Sequence, residues 1–244
     1  MRGAEPLQGQ VALVTGAARR IGRSIAQKLA AEGAAVVIHY ATSRPEAEAL
    51  AAELMATGRR ALVCQADVSR RTDVERLFDT VHREFGRLDI LVNNAGIFFP
   101  ARFDELTEEQ WDRIHAVNLK AQFLCAQAAA RLMRRGGRGR IVNIASLGGL
   151  LPWPEYVHYC TSKAGVIMLT RCLARALAPE ITVNCVAPGT IQFPDEAPDA
   201  EYIRRAPLQK TGRGEDIAGA VFYLVQAEFV TGQVLVVDGG RSLV

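Results

Sequence analysis

Two residues four positions apart, Tyr159 and Lys163, have types and a spacing that could carry out acid–base chemistry. Side chains at positions i and i+4 lie on the same face of a helix. A tyrosine hydroxyl has a pKa of about 10, too high for proton transfer at neutral pH, and a nearby cation lowers that pKa by favouring the phenolate. We therefore expect Tyr159 to act as the acid/base and Lys163 to lower its pKa.

A serine, Ser146, follows an apolar segment that ends at Ile144. The carboxyl ends of parallel strands form the edge at which such sheets bind ligands. A hydroxyl at this edge can hydrogen-bond a substrate carbonyl and stabilise the charge that develops on its oxygen. We expect Ser146 to orient a carbonyl beside Tyr159.

A glycine-rich turn, Thr15-Gly-Ala-Ala-Arg-Arg-Ile-Gly22, lies between an apolar strand segment and a predicted helix over residues 23–32. Glycine lets the backbone approach a pyrophosphate, and the helix N-terminus presents free N–H groups and the positive end of its dipole. The strand before the turn and the helix after it together predict a dinucleotide site.

The segment after the second predicted strand bears on which dinucleotide fits. An NAD site places Asp or Glu there, about 20 residues after the turn, to bind the ribose diol. The sequence instead reads Ile38-His-Tyr-Ala-Thr-Ser-Arg44, with no acid before Glu46. Arg19 and the Thr-Ser-Arg segment 42–44 offer cations and hydroxyls to a 2′-phosphate, so we expect NADP(H). The alternative is that these arginines are simply solvated.

Apolar, β-branched segments recur along the chain and are typical of buried parallel strands. They cover residues 11–15, 35–38, 61–65, 88–92, 140–144, 182–186 and 234–237. About six segments of helical periodicity alternate with them. This alternation predicts a single-domain α/β fold over residues 1–244, with a doubly wound parallel sheet of about seven strands.

Several boundary signals accompany the predicted elements. Ser43 and Thr107 each begin a segment with capping-box spacing, and Gly33, Gly58 and Gly86 stand where a helix ends in a left-handed residue. The least regular stretch, 188–207, contains four prolines. We expect a substrate loop or lid over residues 190–207.

Composition excludes several classes of protein. A net charge of +3 without long basic blocks does not favour nucleic acid, and the longest apolar run, 220–225, is too short to span a membrane. Five cysteines without a C-x-x-C pair indicate free thiols in a reducing compartment and not a disulfide or metal framework. For the same reason we expect no metal site. The first ten residues carry no leader signature, so we expect a cytoplasmic protein.

Taken together, the motifs resemble the short-chain dehydrogenase/reductase family over nearly the whole chain. Thr15-Gly16…Gly22, Asn93-Asn-Ala-Gly96, Ser146, Tyr159-x-x-x-Lys163 and Pro188-Gly189 occur in the family's order and spacing. The resemblance implies a Rossmann fold and an NADP(H)-dependent oxidoreductase. It also implies that Asn118 completes a catalytic tetrad with Ser146, Tyr159 and Lys163 by holding a proton-relay water, and that Lys163 binds the nicotinamide ribose. The implied cofactor residues are Gly16, Arg19, Arg20, Ile21, Gly22, Tyr40, Thr42, Ser43, Arg44, Asp67, Val68, Asn94, Ala95, Gly96, Tyr159, Lys163, Pro188, Gly189 and Thr190.

One departure from the family pattern bears on the substrate. Arg20 replaces the middle glycine of the usual turn, which resembles pteridine reductases. His39-Tyr40, Phe98-Phe-Pro100 and the ending 238–243 are similar to that subgroup too, and Phe98 could stack on a flat ring. Ser146 and Gly96 differ from the protozoan enzymes of that subgroup, which carry aspartate and serine there.

Other motifs resemble β-ketoacyl-acyl-carrier-protein reductases. They are Ile-Ala-Ser146, Tyr159-x-x-Ser-Lys163-Ala-Gly and Val183-Asn-x-Val-Ala-Pro-Gly189. Arg131 and Arg175 fall where those enzymes present arginines to the acidic carrier protein, and Arg134, Arg135 and Arg138 would strengthen that patch. The alternative is that these arginines complement helix dipoles. On balance the resemblance favours a β-ketoacyl thioester over a pterin.

Two predicted helices, around 111–134 and 159–178, carry more apolar residues than one buried stripe requires. In the family that the chain resembles, these helices pair across a subunit interface, so we expect a homotetramer. The residues concerned are Phe123, Leu124, Leu132, Met133, Val166, Ile167, Leu169 and Leu173. A regulator that binds NADPH without turnover is the alternative from another class, although such proteins usually lack the tyrosine or the lysine.

Overall fold

One parallel sheet of seven strands organises residues 5–244, which are the residues that the computed structural model describes. The strands are β1 (Val11–Val14), β2 (Ala35–Tyr40), β3 (Ala61–Gln65), β4 (Ile90–Asn93), β5 (Gly139–Ile144), β6 (Ile181–Pro188) and β7 (Val234–Val237). Their order across the sheet is β3-β2-β1-β4-β5-β6-β7. The predicted doubly wound α/β fold is confirmed. The first four residues, part of the segment in which no leader is expected, lie outside the described residues.

Helices cover both faces of this sheet. They are α1 (Arg20–Ala31), α2 (Arg44–Ala56), α3 (Arg71–Phe85), α4 (Glu108–His115), α5 (Ala121–Arg135), α6 (Val157–Leu177), α7 (Ala200–Arg205) and α8 (Gly214–Gln226). One core layer is formed with α1, α2 and α8, and the other with α3, α5 and α6. The central strands are therefore buried on both sides, which explains their continuous apolar sequence. Within residues 5–244 no helix combines the length and apolar character needed to cross a membrane.

Of the two predicted capping boxes, the one at Thr107 is confirmed and the one at Ser43 is wrong. Thr107 forms the predicted capping box, in which the Gln110 N–H donates to Thr107 Oγ1 and the Thr107 N–H donates to Gln110 Oε1. Ser43 makes no side-chain cap bond. Pro45, the second residue of α2, has no N–H to donate, and the Ser43 ψ of 60° departs from the extended backbone of a usual N-cap.

The three predicted left-handed glycines are confirmed. Gly33, Gly58 and Gly86 have φ values of 104°, 80° and 70°. Gly86 is the C-cap residue of α3, and its N–H donates to His82 O at 2.8 Å.

The long helix predicted around 111–134 is interrupted. A π-helical turn, Ala116–Lys120, separates α4 from α5, and Asn118 lies within it with no exposed surface. Such turns occur often at functional sites because the inserted residue redirects a side chain. Periodicity analysis does not detect this turn because five residues are too few to be separated from the helical pattern on either side.

The predicted loop over 190–207 contains a short helix, α7. Asp199 caps it by accepting a hydrogen bond from the Tyr202 N–H at 2.9 Å. Six residues are too few to show helical periodicity in the sequence. At its other end the loop is fastened by an isolated bridge between Ile191 and Gly212.

Candidate functional site

The candidate site lies at the carboxyl edge of the sheet, where β1 and β4 diverge in chain order. Gly16 in the turn after β1 has a φ of 62°. A Cβ on Gly22 would lie 2.2 Å from Gly16 O and 2.5 Å from the Asn94 Nδ2, so only glycine allows this contact. The turn and the first residues of α1 thus pack directly against the end of β4.

Hydrogen bonds from the end of β4 fix this turn. Thr15 Oγ1 accepts from the N–H groups of Asn94 and Ala95 at 2.9 and 3.0 Å. The Asn94 Nδ2 donates to the carbonyls of Thr15 and Gly16 at 2.9 and 3.1 Å. The Asn94, Ala95 and Gly16 predictions therefore fall on one connected group at the switch point.

His39 is a residue of this site whose part sequence reasoning missed, noting it only as a subgroup similarity. Its Nδ1 accepts from the Gly16 N–H at 3.0 Å, and its Nε2 lies 3.0 Å from Ala66 O, as the N–H of a neutral ring would. Burial lowers the pKa of His39 to about 4, so the ring is neutral at physiological pH. A polar residue within an apolar strand was the available signal.

Arg20 adopts a left-handed backbone, with a φ of 55° at the position where the resembling family has glycine. Its guanidinium pairs with Glu196 of the loop after β6 and lies 4.5 Å from the centroid of the Phe193 ring. Ile21, half-buried, lines the cavity described below together with Arg20. The sequence predicts Arg20 for the cofactor, and the structure places it as a bridge between the turn and the loop.

The cations expected near a 2′-phosphate are exposed and paired with glutamates. Arg19 lies 3.7 Å from Glu46, and the Arg44 Nε donates to Glu48 at 2.7 Å. Thr42 is exposed, Ser43 is half-buried and Tyr40 is buried. The Arg19–Glu46 contact places Arg19 beside the first turn of α2, next to residues 42–44 at the start of that helix.

The segment after β3 forms a tight polar turn. Asp67 Oδ1 accepts from the Ser69 N–H and hydroxyl at 3.0 and 2.6 Å, and the Asp67 N–H donates to Asp73 at 3.0 Å. Asp67 is exposed whereas Val68 is buried. Asp67 is thus available to a ligand at the edge, and Val68 supports the turn from the core.

Asn118 and Lys163 flank Gly96. Asn118 Oδ1 accepts from the Ile97 N–H at 2.8 Å, and its Nδ2 donates to Ile97 O at 3.0 Å and to Ser162 Oγ at 3.2 Å. A Cβ on Gly96 would lie 3.3 Å from Asn118 Oδ1 and 3.6 Å from the Lys163 Nζ. Glycine at 96 therefore keeps the space in front of the lysine open.

Lys163 is buried and donates from Nζ to Ile144 O at 2.9 Å. Burial lowers its pKa to about 8, partly offset by Cys185. Among the described residues no carboxylate forms an ion pair with it, because none lies within 4.0 Å. Its Nζ thus lies between the end of β5 and Gly96.

Tyr159 and Ser146 both line the cavity described in the next paragraph, and Ser146 Oγ accepts from the Gly148 N–H at 3.1 Å. Burial raises the pKa of Tyr159 to about 12, against the lowering effect of Ser146. This differs from the expectation that Lys163 lowers the tyrosine pKa. The lysine Nζ is 5.8 Å from the Tyr159 ring centroid and its hydrogen bond goes to the main chain, so burial outweighs the cation here.

A cavity of about 670 Å³ opens in front of Ser146 and Tyr159. One wall is aromatic, with Phe98, Trp153 and Tyr156 around the tyrosine. Gly189 and Thr190 line the opposite side with residues of the loop and α7. The predicted catalytic serine and tyrosine therefore share a ligand-sized space with the predicted loop.

Tyr202 on α7 is a second residue that sequence reasoning missed. Its hydroxyl donates to Asp238 O at 2.6 Å, and a Cβ on Gly189 would lie 2.0 Å from the Tyr202 hydroxyl oxygen. The glycine after Pro188 thus allows α7 to pack against the ends of β6 and β7. A tyrosine in an irregular loop gave no signal for this role.

The arginines considered for carrier docking lie away from the cavity mouth. Arg131 is exposed on α5 in a shallow groove beside Arg71 of α3, and Arg175 is exposed on α6. Arg134, Arg135 and Arg138 are also exposed around the end of α5.

Comparison with known proteins bears on this site. A family model described as enoyl-(acyl carrier protein) reductase matches residues 16–242. A short-chain type dehydrogenase/reductase of Picea abies is 43% identical and covers 96% of this chain and 93% of its own length. A 3-oxoacyl-[acyl-carrier-protein] reductase of Synechocystis sp. is 42% identical and covers 97% of this chain and 98% of its own.

A solved structure agrees with these matches. It is a short chain dehydrogenase of Burkholderia cenocepacia in complex with NADP, with a TM-score of 0.91 and 42% identity over 97% of this chain and 99% of that one. The match extends over the sheet, the glycine-rich turn and the cavity alike. The chain therefore belongs to the short-chain dehydrogenase/reductase family.

Proposed function

We propose that the protein is an NADPH-dependent reductase of 3-oxoacyl thioesters carried on an acyl carrier protein. One observation carries the proposal: Ser146 and Tyr159 line the same cavity, which also reaches the glycine-rich turn at Arg20 and Ile21. Family membership supports an oxidoreductase, and the Synechocystis relative is named a 3-oxoacyl-[acyl-carrier-protein] reductase.

The turn has features that fit a dinucleotide. Arg19, the N-cap residue of α1, provides no side-chain cap, so the first N–H groups of the helix are available to a pyrophosphate. Gly96 leaves open a space in front of Lys163 that a Cβ would fill. Lys163, an ammonium donor without a carboxylate partner in the described part of the chain, suits ribose hydroxyls.

When bound, the nicotinamide supplies the hydride that reduces a ketone carbon. Tyr159 donates its proton to the ketone oxygen, and Ser146 hydrogen-bonds the same oxygen and orients it. Lys163 Nζ donates to Ile144 O in this structure; we propose that the ammonium turns towards Tyr159 during proton transfer and then lowers the pKa of the tyrosine. Asn118 hydrogen-bonds Ile97 and Ser162 and so holds the π-helical turn in place. In this position we propose that it holds the water through which Tyr159 regains its proton.

The arginines near α2 support a preference for NADPH. The Arg19–Glu46 and Arg44–Glu48 pairs are exposed, and such pairs contribute little to stability, so a 2′-phosphate can compete for both cations. The NADP complex of the Burkholderia relative supports the same cofactor. We expect R19A and R44A to weaken NADPH binding and leave NADH binding unchanged, as titrations of nicotinamide fluorescence would show. Equal affinities for both cofactors in the wild type would contradict the preference.

Ser146 supports a ketone over a pterin. A serine hydroxyl can donate to a ketone oxygen but is a poor acid for protonating a ring nitrogen. The aromatic wall at Phe98 is the observation that favours the pteridine alternative. A ketone reductase and a pteridine reductase can each be distinguished from a regulator that binds NADPH, because only the regulator would turn over none of the substrates.

A side-by-side comparison of kcat/KM tests the substrate. Acetoacetyl thioester, dihydropterin and dihydrofolate would each be offered with NADPH. We expect the thioester to be turned over best. Pterin turnover well above thioester turnover would overturn the proposal, and cofactor binding without any turnover would favour a regulator.

Carrier docking is a separate part of this proposal. The exposed Arg131 and Arg175 support a surface for an acidic protein. The double variant R131E/R175E should lose activity with carrier-linked substrate and keep it with the same acyl group on a small thiol. An equal loss with both substrates would contradict docking at these arginines.

We further propose one NADP(H)-binding domain over residues 1–244, since the described strands form a single sheet. All five cysteines are free, which supports the reducing, cytoplasmic setting predicted from the sequence. Within residues 5–244 no group of three or more His, Cys, Asp or Glu side chains is arranged to hold a metal ion, and metal-free chemistry stays a prediction.

A further inference from the structure

Phe98 is a large apolar side chain that the mechanism above does not use. It lines the cavity in front of Ser146 and Tyr159, and it is 57% exposed. Its ring stacks on Tyr156 with centroids 4.5 Å apart and 2° between planes, and it meets Tyr159 in a T-shaped contact at 4.7 Å. Phe98 thus keeps more than half of its residue surface exposed while its ring contacts the acid that the mechanism requires.

Trp153 extends the same aromatic surface and is fixed to the backbone near Ser146. A Cβ on Gly148 would lie 2.8 Å from the tryptophan ring, so the ring packs directly on that glycine. The Gly148 N–H in turn donates to Ser146 Oγ. The position of the indole and the orientation of the serine are therefore set by the same residue.

Trp153 also lies parallel to Tyr159, with 7° between planes and centroids 6.1 Å apart. Leu147 and Leu151 complete this wall without adding a charge. A ketone whose oxygen is held by Ser146 and Tyr159 must place one of its two carbon substituents near these rings. Aromatic surfaces prefer a flat ring because stacked and edge-to-face contacts add to the burial of apolar area.

We propose that the substrate ketone carries an aromatic ring next to its carbonyl and that Phe98 is the residue that selects it. This rests on the proposed reductase function and narrows its substrates to 3-aryl-3-oxoacyl thioesters and simpler aryl ketones. A straight-chain or saturated-ring ketone of similar size fits the cavity without gaining the aromatic contacts.

Matched substrates test this selection with NADPH. N-acetylcysteamine thioesters of 3-oxo-3-phenylpropanoate and 3-oxo-3-cyclohexylpropanoate have rings of similar size, one flat and one puckered, and acetophenone and cyclohexyl methyl ketone repeat the comparison without a thioester. Conjugation makes the phenyl ketone the less reactive of each pair towards hydride, so a preference for it has to come from its contacts with the protein. We expect the phenyl compound to have the higher kcat/KM in each pair, by about fivefold to tenfold. In F98L the phenyl-to-cyclohexyl ratio of kcat/KM should fall to about one or below. F103L is the control, because Phe103 is 76% exposed and lies outside the cavity lining.

Equal kcat/KM for phenyl and cyclohexyl compounds in the wild type would overturn the inference, as would a ratio that F98L leaves unchanged. If the simple ketones show the phenyl preference while no thioester reacts, the 3-oxoacyl proposal fails and the aryl selection stands.

A binding measurement keeps the test independent of turnover. Trp111 and Trp153 are the two tryptophans of the sequence, so W111F leaves Trp153 as the sole indole reporter. Titration of W111F with 1-phenylethanol should quench its fluorescence at lower concentrations than titration with 1-cyclohexylethanol. No difference between the two alcohols would contradict an aromatic site at this wall.

Discussion

Lys163 is the residue whose chemistry depends most on its surroundings. It is 4% exposed, and burial lowers its pKa to about 8. At neutral pH the folded protein therefore holds an ammonium group where charge is disfavoured. A catalytic residue kept in such a place lowers stability in exchange for function.

Replacement by methionine should show this directly. K163M should abolish reduction and raise the free energy of unfolding at neutral pH by about 1 kcal/mol, because it removes a buried charge of similar shape. Ile144 O keeps a second donor, the Gln122 Nε2 at 3.4 Å. Urea unfolding followed by circular dichroism would measure the change.

The extra free energy of unfolding of K163M should shrink as pH rises from about 8 to 10.5, which are the folded and the ordinary pKa values of Lys163. In that window the wild-type lysine is neutral when folded and still protonated when unfolded, so wild-type stability rises with pH relative to K163M. K210M, at an exposed lysine, is the control. A K163M protein less stable than the wild type at neutral pH would contradict the burial argument.

Residue types carried much of the catalytic prediction, since a tyrosine acid needs a cation and a hydroxyl nearby whatever the fold. Their electrostatics could not be predicted, because the Tyr159 pKa of about 12 depends on burial by distant segments. The Arg20 contacts with Glu196 and Phe193 join residues more than 170 positions apart, and no sequence pattern encodes that distance.

At the scale of elements, β1, α1 and β4 meet through glycine and main-chain contacts. G22A should lower the free energy of unfolding by about 1–3 kcal/mol and weaken NADPH binding, because its Cβ would overlap Gly16 O and the Asn94 side chain. Thermal unfolding and a cofactor titration would measure both effects.

Gly219 provides the matched control, since it lies within α8 and a Cβ there meets nothing within 4 Å. G219A should raise stability by about 0.5–1 kcal/mol, as expected from helix propensity. If G22A unfolds like the wild type and binds NADPH equally well, the close packing of the turn is wrong.

His39 links the ends of β2 and β3 to the glycine-rich turn and should make stability depend on acid. Its pKa is lowered from 6.5 to about 4 in the folded protein, so between these values only the unfolded chain takes up this proton. The free energy of unfolding should therefore fall by about 3 kcal/mol as pH drops through that window.

H39N should remove most of that slope, whereas H82N, at an exposed histidine of α3, should keep it. Urea unfolding at a series of pH values would measure the slopes. The same acid slope in H39N and wild type would show that another group is responsible.

Elements with long buried runs were predictable, because the strands of a parallel sheet are apolar on both faces. The π-helical turn at Asn118 and the six-residue α7 were not predictable, since segments of five or six residues are too short to show a period of their own. The capping box predicted at Ser43 is wrong because the capping-box spacing takes no account of Pro45, which has no N–H to donate.

At the scale of the whole molecule, only part of the apolar excess that predicts a homotetramer remains exposed. Leu124, Met133, Val166 and Ile167 are buried in the core of one chain. Of the predicted residues, Leu132, Leu169 and Leu173 are half-buried and Phe123 on α5 is 39% exposed.

Two apolar side chains outside that predicted set are also exposed, Met168 on α6 at 54% and Trp111 on α4 at 37%. They lie on or next to the helices that pair in the resembling family.

We therefore still predict a tetramer in solution. F123E/M168E should reduce the mass seen by light scattering at micromolar concentration, because charges would be buried at the interface. F229E is the control, because it places the same charge on a different surface, at a fully exposed phenylalanine of the loop after α8. A monomeric wild type would refute the prediction.

The central claim is that Tyr159 protonates the substrate while a nicotinamide cofactor reduces it. Y159F, measured by stopped-flow NADPH oxidation with a β-ketoacyl thioester and by NADPH fluorescence titration, tests this most directly. Loss of the proton donor should reduce kcat by at least about a hundredfold and leave NADPH affinity within about twofold of wild type. Retained turnover in Y159F would mean that another acid donates the proton and would contradict the mechanism.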